Sequence, residues 1–296
     1  MIKYSEFLKN KYGERVYKIP INTGGTCPNR DGKKGIGGCI FCGETGTDFE
    51  LLPKEMEIEK QIEKNIEFIR KKYKANKYLI YFQNYTATYL PINDFKRYLK
   101  IAENTENAVG VSISTRPDCL DGGHLEELKT LKKDVYIELG LQSANDETLE
   151  KINRCHTTAD FISGAKKVKD YGFYLDIHLI LNLPFDKNED IMKMAEIINE
   201  VKPDSIKIHS LHIPYKTRLY DMYINNEFKI ISKEEYFERL DILLSNIDKN
   251  IAIQRLFSRA PKEDTAFCNW NTSWWKLEEE YLSKQRWYKK IKFVIK

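Results

Sequence analysis

Three cysteines lie in the segment Cys27-Pro-Asn-Arg-Asp-Gly-Lys-Lys-Gly-Ile-Gly-Gly-Cys39-Ile-Phe41-Cys42, spaced Cx11CxxC soon after a short apolar run. Two residues between thiolates let a chain turn tightly around one face of a metal or cluster. Glycines crowd this cysteine loop (residues 27–42), so its backbone can wrap closely around a bound group. Three thiolates can hold three corners of a [4Fe-4S] cube and leave the fourth iron open for a substrate or cofactor. The spacing therefore favours a reactive cluster.

A structural zinc ion is the alternative for the same motif. It needs a fourth ligand from Cys119, Cys155, Cys268 or a histidine, and none of these lies at a second CxxC or CxxH spacing. A disulfide framework is typical of short secreted chains, whereas this chain has 296 residues and clusters three of its six cysteines. The cysteine pattern thus favours a metal or cluster in a reducing compartment.

Composition indicates a globular protein. With 42% hydrophobic and 12% aromatic residues, the chain can bury one large core, and an α/β barrel of this length can be a single domain. The sequence has no run of 18 apolar residues, and its start lacks the apolar core of a signal peptide. We therefore expect a cytoplasmic protein that does not enter a membrane.

The formal charge of +4 is small and names no partner by itself. The distribution of charge is more informative, because residues 281–296 carry six cationic side chains and no acidic one, interspersed with aromatic residues. The cations are Lys284, Arg286, Lys289, Lys290, Lys292 and Lys296, and the aromatics are Tyr281, Trp287, Tyr288 and Phe293. This pattern is a candidate nucleic-acid footprint, since cations neutralise phosphates and aromatic faces stack on bases. A solvated cationic helix end is the alternative.

Strand and helix patterns alternate along most of the chain. Apolar residues recur as Ile58, Ile62, Ile66, Ile69 and Tyr73, which predicts an amphipathic helix, and the apolar run 78–82 predicts a buried parallel strand. Strands are further predicted near 16–21, 108–114, 134–141, 173–181 and 205–211, and helices near 93–104, 124–132, 146–152, 158–171 and 188–200. Six strand–helix units build either an open doubly wound sheet or a barrel.

The last part of the chain breaks this alternation. A helix is predicted over residues 233–249, followed by the apolar run 251–257 and a tryptophan-rich cap beyond Pro261. We predict two segments of one globular unit, a barrel over residues 1–230 and a C-terminal cap over residues 231–296.

Motifs after successive strands resemble the radical S-adenosylmethionine (SAM) superfamily, and within it the YhcC/YtqA-type group. The similarity spans about residues 15–260. It is carried by Cys27-Pro-Asn-Arg-Asp-Gly, Tyr81-Phe-Gln-Asn-Tyr-Thr-Ala-Thr-Tyr89, Ser114-Thr-Arg-Pro-Asp-Cys-Leu120, Glu138-Leu-Gly-Leu-Gln-Ser143, Ile152-Asn-Arg-Cys-His156, His178-Leu-Ile-Leu-Asn-Leu-Pro184 and Lys207-Ile-His-Ser-Leu-His212.

The resemblance implies an α/β fold, a partial (β/α)6 TIM-like barrel with a C-terminal extension. In this family SAM chelates the open iron of a [4Fe-4S] cluster, and an electron from the cluster cleaves SAM to a 5′-deoxyadenosyl radical that abstracts hydrogen from a substrate. Active residues are expected around the C-terminal mouth of the barrel. A reducing partner such as flavodoxin or ferredoxin is also implied.

The resemblance assigns roles to individual residues. Cys27, Cys39 and Cys42 are the implied cluster ligands, and Phe41 is expected near the adenine of SAM. Gln83, Asn84 and Tyr85 stand where the SAM amino group is received, and Ser114 opens the next motif at the mouth. By similarity to the coproporphyrinogen-dehydrogenase-like branch, Gln142 and His178 match ribose-binding positions, and Arg154 matches one that pairs with the SAM carboxylate.

Each of the last three residues also has a structural explanation. Arg154 can pair with a surface carboxylate, Gln142 can cap the next helix, and His178 can be a satisfied core histidine. Cys119 is expected to face the mouth if the third strand ends near Ser114, either as a radical-site residue or as a small buried hydrophobe. Cys155 and Cys268 receive no role.

Three functions are considered. The first, implied by the resemblance to the YhcC/YtqA-type group, is a radical SAM enzyme that converts the wobble uridine side chain of tRNA from the 5-carboxymethylaminomethyl to the 5-aminomethyl form. The second is a radical SAM enzyme with a small-molecule, porphyrin-like or protein substrate. The third is a zinc-stabilised RNA-binding module without catalysis.

Overall fold

The computed structural model describes residues 1–43 and 51–294, with side chains as far as Gln285 in the last helix. The strands are β1 (Ile2–Lys3), β2 (Val16–Ile21), β3 (Lys77–Phe82), β4 (Ala108–Thr115), β5 (Asp134–Gln142), β6 (Tyr174–Ile180), β7 (Ser205–His209), β8 (His212–Pro214), β9 (Ala252–Arg255) and β10 (Thr265–Cys268). The helices are α1 (Tyr4–Tyr12), α2 (Ile58–Tyr73), α3 (Ile92–Asn104), α4 (Gly122–Lys129), α5 (Asp146–Lys151), α6 (Thr158–Asp170), α7 (Asn188–Val201), α8 (Arg218–Ile224), α9 (Lys233–Asn246) and α10 (Trp274–Val294).

Eight parallel strands form the main sheet, in the order β1-β9-β7-β6-β5-β4-β3-β2. The six predicted strands are confirmed as β2 to β7, each paired in parallel with the next one along the chain. Two strands that the pattern did not predict enlarge the sheet beyond β7. These are β9, from the apolar run 251–257, and the two-residue β1 at the edge.

The sheet curls into a half-barrel. Although five strands separate β2 from β9 in the sheet, Lys18 Nζ on β2 donates to Gln254 Oε1 on β9 at 3.2 Å. The same ammonium group forms an ion pair with Glu138 on β5 and lies 3.7 Å from Asp176 Oδ2 on β6. Side chains of distant strands therefore meet on the concave face, and the predicted partial barrel is confirmed.

Helix α1 packs against residues near the amino ends of the strands. Tyr4 and Leu8 are buried with Val16, Leu79 and Tyr136 in one apolar cluster. Its last residue, Tyr12, donates to Asp134 Oδ2 at 2.5 Å, at the start of β5. This helix was not predicted, and it leaves the opposite, carboxyl ends of the strands for the site. Within the described residues, no helix has the length and apolar character needed to cross a membrane.

The chain beyond β7 adds a second layer beside the mouth. Strands β8 and β10 pair antiparallel, with His212 opposite Cys268, and α8 follows β8. The division at residue 230 stays a prediction, although β9, from the predicted cap, is a member of the main sheet. The side chains of the predicted basic segment after Gln285 lie outside the described residues, so the nucleic-acid footprint there also stays a prediction.

Candidate active site

A cavity of about 700 Å³ opens at the carboxyl ends of the strands. Every residue predicted to hold the cluster or SAM lines it: Cys27, Phe41, Cys39, Cys42, Gln83, Asn84, Tyr85, Ser114, Gln142, Arg154 and His178. The sequence brings them there because they lie near the ends of five neighbouring parallel strands, β2 to β6, or in the segments that follow them, and parallel strands end at one edge of a sheet.

Hydrogen bonds join the cysteine loop to the segment after α5. Ile40 N donates to Ile152 O at 3.1 Å, and Asn153 Nδ2 donates to Gly38 O at 2.8 Å. In return, Asn29 Nδ2 donates to Asn153 O at 2.6 Å. These bonds hold the loop against the motif 152–156 and so fix where its cysteines point.

Cationic and amide groups surround the thiols. Arg30 Nη1 lies 3.4 Å from Cys42 Sγ, and Arg154 Nη1 lies 3.6 Å from Cys39 Sγ. Burial, and next the neighbouring Cys39 thiol, raise the pKa of the Cys42 thiol to about 11, while the Arg30 guanidinium opposes the rise. Groups that donate to sulfur in this way are the outer partners that tune bound iron–sulfur clusters.

The three thiols of the cysteine loop are of the donor type that an iron–sulfur cluster requires. All six cysteines are free, and among the described residues no three His, Cys, Asp or Glu side chains are grouped to hold one metal ion. A cubane needs no such convergence, because each thiolate binds a different iron.

The turn after β3 supplies three of the predicted cofactor residues. Gln83 and Asn84 are buried, and Tyr85 adopts a positive φ of 54°. The Arg30 guanidinium lies 5.2 Å from the centre of the Tyr85 ring, so this turn packs directly on the cysteine loop. Ser114, near the end of β4, lines the cavity beside them.

A bulge at the end of β5 aims Gln142 into the cavity. The register between β5 and β6 shifts between Gly140 and Gln142, and Gln142 has a φ of 67°. A Cβ atom at Gly140 would lie 2.5 Å from Gln142 Nε2 and 2.7 Å from Arg154 Nη2. The absence of a side chain at Gly140 therefore leaves room for both predicted SAM contacts.

The structural explanations for Gln142 and Arg154 are not borne out in the described part of the chain. The cap of α5 is Asn145, whose side chain accepts from Glu147 N and Thr148 N. Arg154 donates to His156 Nε2 at 2.9 Å and to Gly140 O at 3.3 Å, and it forms no salt bridge with a carboxylate of the described residues. Their roles toward SAM remain proposals.

His178 differs, because both of its ring nitrogens have partners. Nε2 lies 2.5 Å from Glu138 Oε2, and Nδ1 lies 3.4 Å from His209 Nε2. Burial, and next the Lys207 ammonium group, lower the pKa of His178 to about 4, so the ring is neutral at pH 7. A ribose contact would have to replace one of these partners. The geometry thus favours the alternative of a satisfied histidine over a ribose donor.

Arg116 is a structural centre of the site to which the sequence reasoning gave no role. It is 2% exposed, and its Nε and Nη2 donate to the two oxygens of Asp118 at 2.8 and 2.9 Å. It also donates to Arg154 O at 2.9 Å and Cys155 O at 3.0 Å. Lys34 of the cysteine loop donates to the same carboxylate at 2.7 Å. Arg116 therefore ties β4, the segment 154–155 and the cysteine loop together.

The remaining cysteines are not among the residues that line this cavity. Cys119 lines a separate cavity of about 390 Å³, so the expectation that it faces the mouth is wrong. The reason is a tight turn at Pro117–Cys119, which redirects the chain after β4 ends at Thr115. Cys155 is exposed beside Gly35, and Cys268 is buried at the end of β10.

Family profiles match almost the whole of this architecture. The profile described as the radical SAM superfamily matches residues 21–198, and that of the radical SAM C-terminal domain matches residues 203–284.

The chain belongs to the radical SAM superfamily.

Relatives place this radical SAM enzyme in the YhcC/YtqA-type group. It is 34% identical to YhcC of Escherichia coli over 209 residues, covering 70% of this chain and 66% of YhcC. It is 29% identical to YtqA of Bacillus subtilis over 279 residues, covering 91% of this chain and 84% of YtqA. It is also 32% identical over 161 residues to a protein named tRNA uridine(34) acetyltransferase from Methanocaldococcus jannaschii, covering 53% of this chain but 30% of that protein.

The fold has a solved counterpart. The archaeal Elp3 of Methanocaldococcus infernus superposes with a TM-score of 0.70 at 22% identity, covering 91% of this chain and 63% of that one. Family membership implies SAM and a [4Fe-4S] cluster as cofactors and sets aside the zinc-stabilised module without catalysis.

Proposed function

We propose that this radical SAM enzyme holds its [4Fe-4S] cluster on Cys27, Cys39 and Cys42 and acts on the wobble uridine side chain of tRNA. The proposed reaction would take a hydrogen atom and then an electron from the carboxymethyl carbon of 5-carboxymethylaminomethyl-uridine, the 5′-deoxyadenosyl radical accepting the hydrogen and the oxidised cluster the electron. Water would then release the arm as glyoxylate and leave the 5-aminomethyl form. The observation that carries the proposal is the gathering of the three thiols and the predicted SAM contacts around one cavity.

Cluster and SAM, when bound, supply the radical that abstracts hydrogen. The protein itself provides orientation. Arg30 and Arg154 donate toward the cysteine sulfurs, and Gly140 leaves open the space between Gln142 and Arg154. In this proposal Arg154 receives the SAM carboxylate and Phe41 lies near the adenine. Phe41 already packs on an apolar cluster that includes Ile40 and Ile152.

The charge of the cavity lining and the similarity to a relative named for tRNA support a tRNA substrate. Among the described residues, the cavity is lined by seven arginine and lysine side chains and two carboxylates: Arg30, Arg116, Arg154, Lys207, Lys216, Arg255 and Arg259, against Glu263 and Asp264. Such an excess of cations attracts a polyanion. The relative named for uridine 34, the wobble position, points to the same nucleoside. A cytoplasmic location and a flavodoxin or ferredoxin donor are part of the proposal.

The test uses anaerobically reconstituted protein, dithionite, SAM and purified tRNA that carries 5-carboxymethylaminomethyl-uridine. Mass spectrometry of the digested tRNA should show the 5-aminomethyl nucleoside appearing, accompanied by 5′-deoxyadenosine. The Cys42→Ala variant, prepared in the same way, should form neither. Formation of 5′-deoxyadenosine with an unchanged nucleoside would assign the enzyme to a different substrate.

A further inference from the structure

Gln142 lies in a strained turn at the end of β5. Ser143 N donates to Leu141 O at 2.9 Å, and this bond closes a γ-turn around Gln142, whose φ is 67°. A γ-turn with a positive φ is rare and strained for a residue that carries a side chain. Such a conformation persists only where its surroundings hold it in place. Contacts of the adjoining residues must therefore stabilise this turn.

The side chain of Ser143 ties the turn to two other segments. Ser143 is fully buried. Its Oγ accepts from the backbone nitrogen of Asn145, the cap of α5, at 3.0 Å and donates to Asp186 Oδ1 at 2.7 Å. A serine hydroxyl has a single proton, which the bond to Asp186 uses. The hydroxyl therefore has a fixed direction, and it anchors the residue that directly follows Gln142.

Asp186 is in turn held by a buried arginine. Asp186 is 4% exposed and lies in the segment 181–187, which joins β6 to α7. Arg239 of α9 is 5% exposed, and its guanidinium donates to Leu181 O at 2.7 Å and to Asp186 O at 2.5 Å. Both ends of the segment are thus attached to α9. The Asp186 carboxylate is therefore a fixed point against which the turn at Gln142 is held.

The burial of this carboxylate is unfavourable for the fold. Burial raises the pKa of Asp186 to about 6, and the hydrogen bond from Ser143 opposes the rise. The Arg239 guanidinium donates to the backbone carbonyl of Asp186 and not to its carboxylate. Burying a carboxylate costs free energy unless it is paired and hydrogen-bonded. The contact with Ser143, next to Gln142, indicates that Asp186 serves the site rather than stability alone.

Ser143 and Asp186 act on the cavity only through another residue. Neither is among the described residues that line the cavity of about 700 Å³, whereas Gln142 is. The register shift in β5 and the γ-turn direct the Gln142 side chain into that cavity. Any effect of Ser143 or Asp186 on SAM binding must therefore pass through the backbone of Gln142.

We propose that Asp186 is a positioning residue for SAM, because through Ser143 it holds Gln142 in the strained turn that directs the Gln142 amide toward the cofactor. This inference rests on the proposed function, in which Gln142 is one of the SAM contacts. Without the bond between Ser143 and Asp186, the turn relaxes to an unstrained conformation. The Gln142 side chain then leaves the position from which it contacts SAM.

The first experiment measures SAM binding to the anaerobically reconstituted holoenzyme by isothermal titration calorimetry. Ser143→Ala and Asp186→Leu should each raise the Kd for SAM roughly 3- to 10-fold, the effect of one lost hydrogen bond. The iron content of both variants should equal that of the wild type. Asp186→Asn keeps an oxygen that accepts from Ser143, so its Kd should stay within about twofold of the wild type. A loss in Asp186→Asn as large as in Asp186→Leu would contradict the hydrogen bond as the cause.

A double-mutant cycle tests whether Asp186 acts through Gln142. Gln142→Ala alone should raise the Kd for SAM by a similar factor. In the Ser143→Ala or Asp186→Leu background, Gln142→Ala should have little further effect, because the contact is already lost. Effects on Kd that multiply independently would show that Asp186 acts by another route and would overturn the proposal.

Asp190 provides a matched control for damage to the fold. It is as buried as Asp186, at 4% exposed, but its carboxylate accepts from Lys187 N at 2.9 Å and caps α7. Asp190→Leu should lower the urea concentration at the midpoint of unfolding and leave the Kd for SAM unchanged. A rise in Kd as large as that of Asp186→Leu would assign both effects to the fold and overturn the positioning role.

The remaining outcomes separate this inference from the proposed function. Wild-type affinity for SAM in Ser143→Ala would overturn the inference even if Asp186→Leu does not fold. Wild-type affinity in Gln142→Ala would also overturn it, together with the Gln142 contact, while conversion of the tRNA nucleoside would leave the proposed reaction standing. A wild-type protein that binds no SAM would overturn both.

Discussion

The buried carboxylate of Glu138 is the shared partner of several polar and cationic side chains inside the half-barrel. Its side chain is fully buried on β5 and accepts from Ser112 Oγ at 2.6 Å, Tyr81 OH at 2.9 Å and His178 Nε2, besides its ion pair with Lys18. Burial alone raises the pKa of a carboxyl group, but the Lys18 and Lys207 ammonium groups hold the pKa of Glu138 well below its usual value. The carboxylate thus stays ionised and orients donors from four strands.

Replacing Glu138 should destabilise the whole protein. Glu138→Gln keeps the shape but removes the closer anionic partner of the half-buried Lys18 and leaves it only Asp176, at 3.7 Å. Breaking a buried ion pair costs about 3–5 kcal/mol. Urea unfolding followed by tryptophan fluorescence should show a loss of this size. The matched control is Glu127→Gln, since Glu127 forms a more exposed pair with Lys96 at 2.7 Å, and such pairs contribute about 0–1 kcal/mol. Equal losses in the two variants would contradict this role of Glu138.

Helix α6 packs closely against the turn after β4. A Cβ atom at Gly164 would lie 2.6 Å from Pro117 O and 3.1 Å from Pro117 Cα, both backbone atoms. The turn Pro117–Cys119 directly follows Arg116, and the Arg116 guanidinium holds the segment 154–155 by hydrogen bonds to its backbone. Close packing of α6 therefore supports the wall of the active site from behind.

Adding a methyl group at this contact tests the packing. Glycine-to-alanine changes normally stabilise a helix interior by about 1 kcal/mol, but overpacking against backbone costs about 1–3 kcal/mol. We expect Gly164→Ala to lower the free energy of unfolding, and Gly122→Ala, at the first turn of α4 with nothing within 4 Å, to leave it unchanged or raise it. Stabilisation by Gly164→Ala would show that α6 sits farther from the turn.

Elements differ in how far the sequence predicts them. Helix α2 is predictable because its apolar residues repeat at helical spacing from Ile58 to Tyr73, and β3 is an unbroken apolar run. Strand β9 was missed, since the run 251–257 could belong to a strand or a helix and pairs with β1 and β7, which lie far away in the chain. The site's cysteines follow from spacing, but Arg116 and Lys18 act through distant partners that no local pattern reveals.

The curled sheet of the whole molecule presents three thiols to one cavity, where we propose that they hold the cluster. The described Cys27, Cys39 and Cys42 line that cavity, whereas Cys155 is exposed and Cys268 lies at the end of β10. Loss of any one of the first three thiols should therefore abolish the cluster, and loss of Cys155 or Cys268 should not.

The most direct measurement is iron content and 5′-deoxyadenosine formation after anaerobic reconstitution with dithionite and SAM. The wild type, Cys155→Ala and Cys268→Ala should bind about four irons and release 5′-deoxyadenosine. Cys27→Ala, Cys39→Ala and Cys42→Ala should each lose the absorbance near 400 nm and form no 5′-deoxyadenosine. Full iron content and SAM cleavage in any of these three variants would contradict the account.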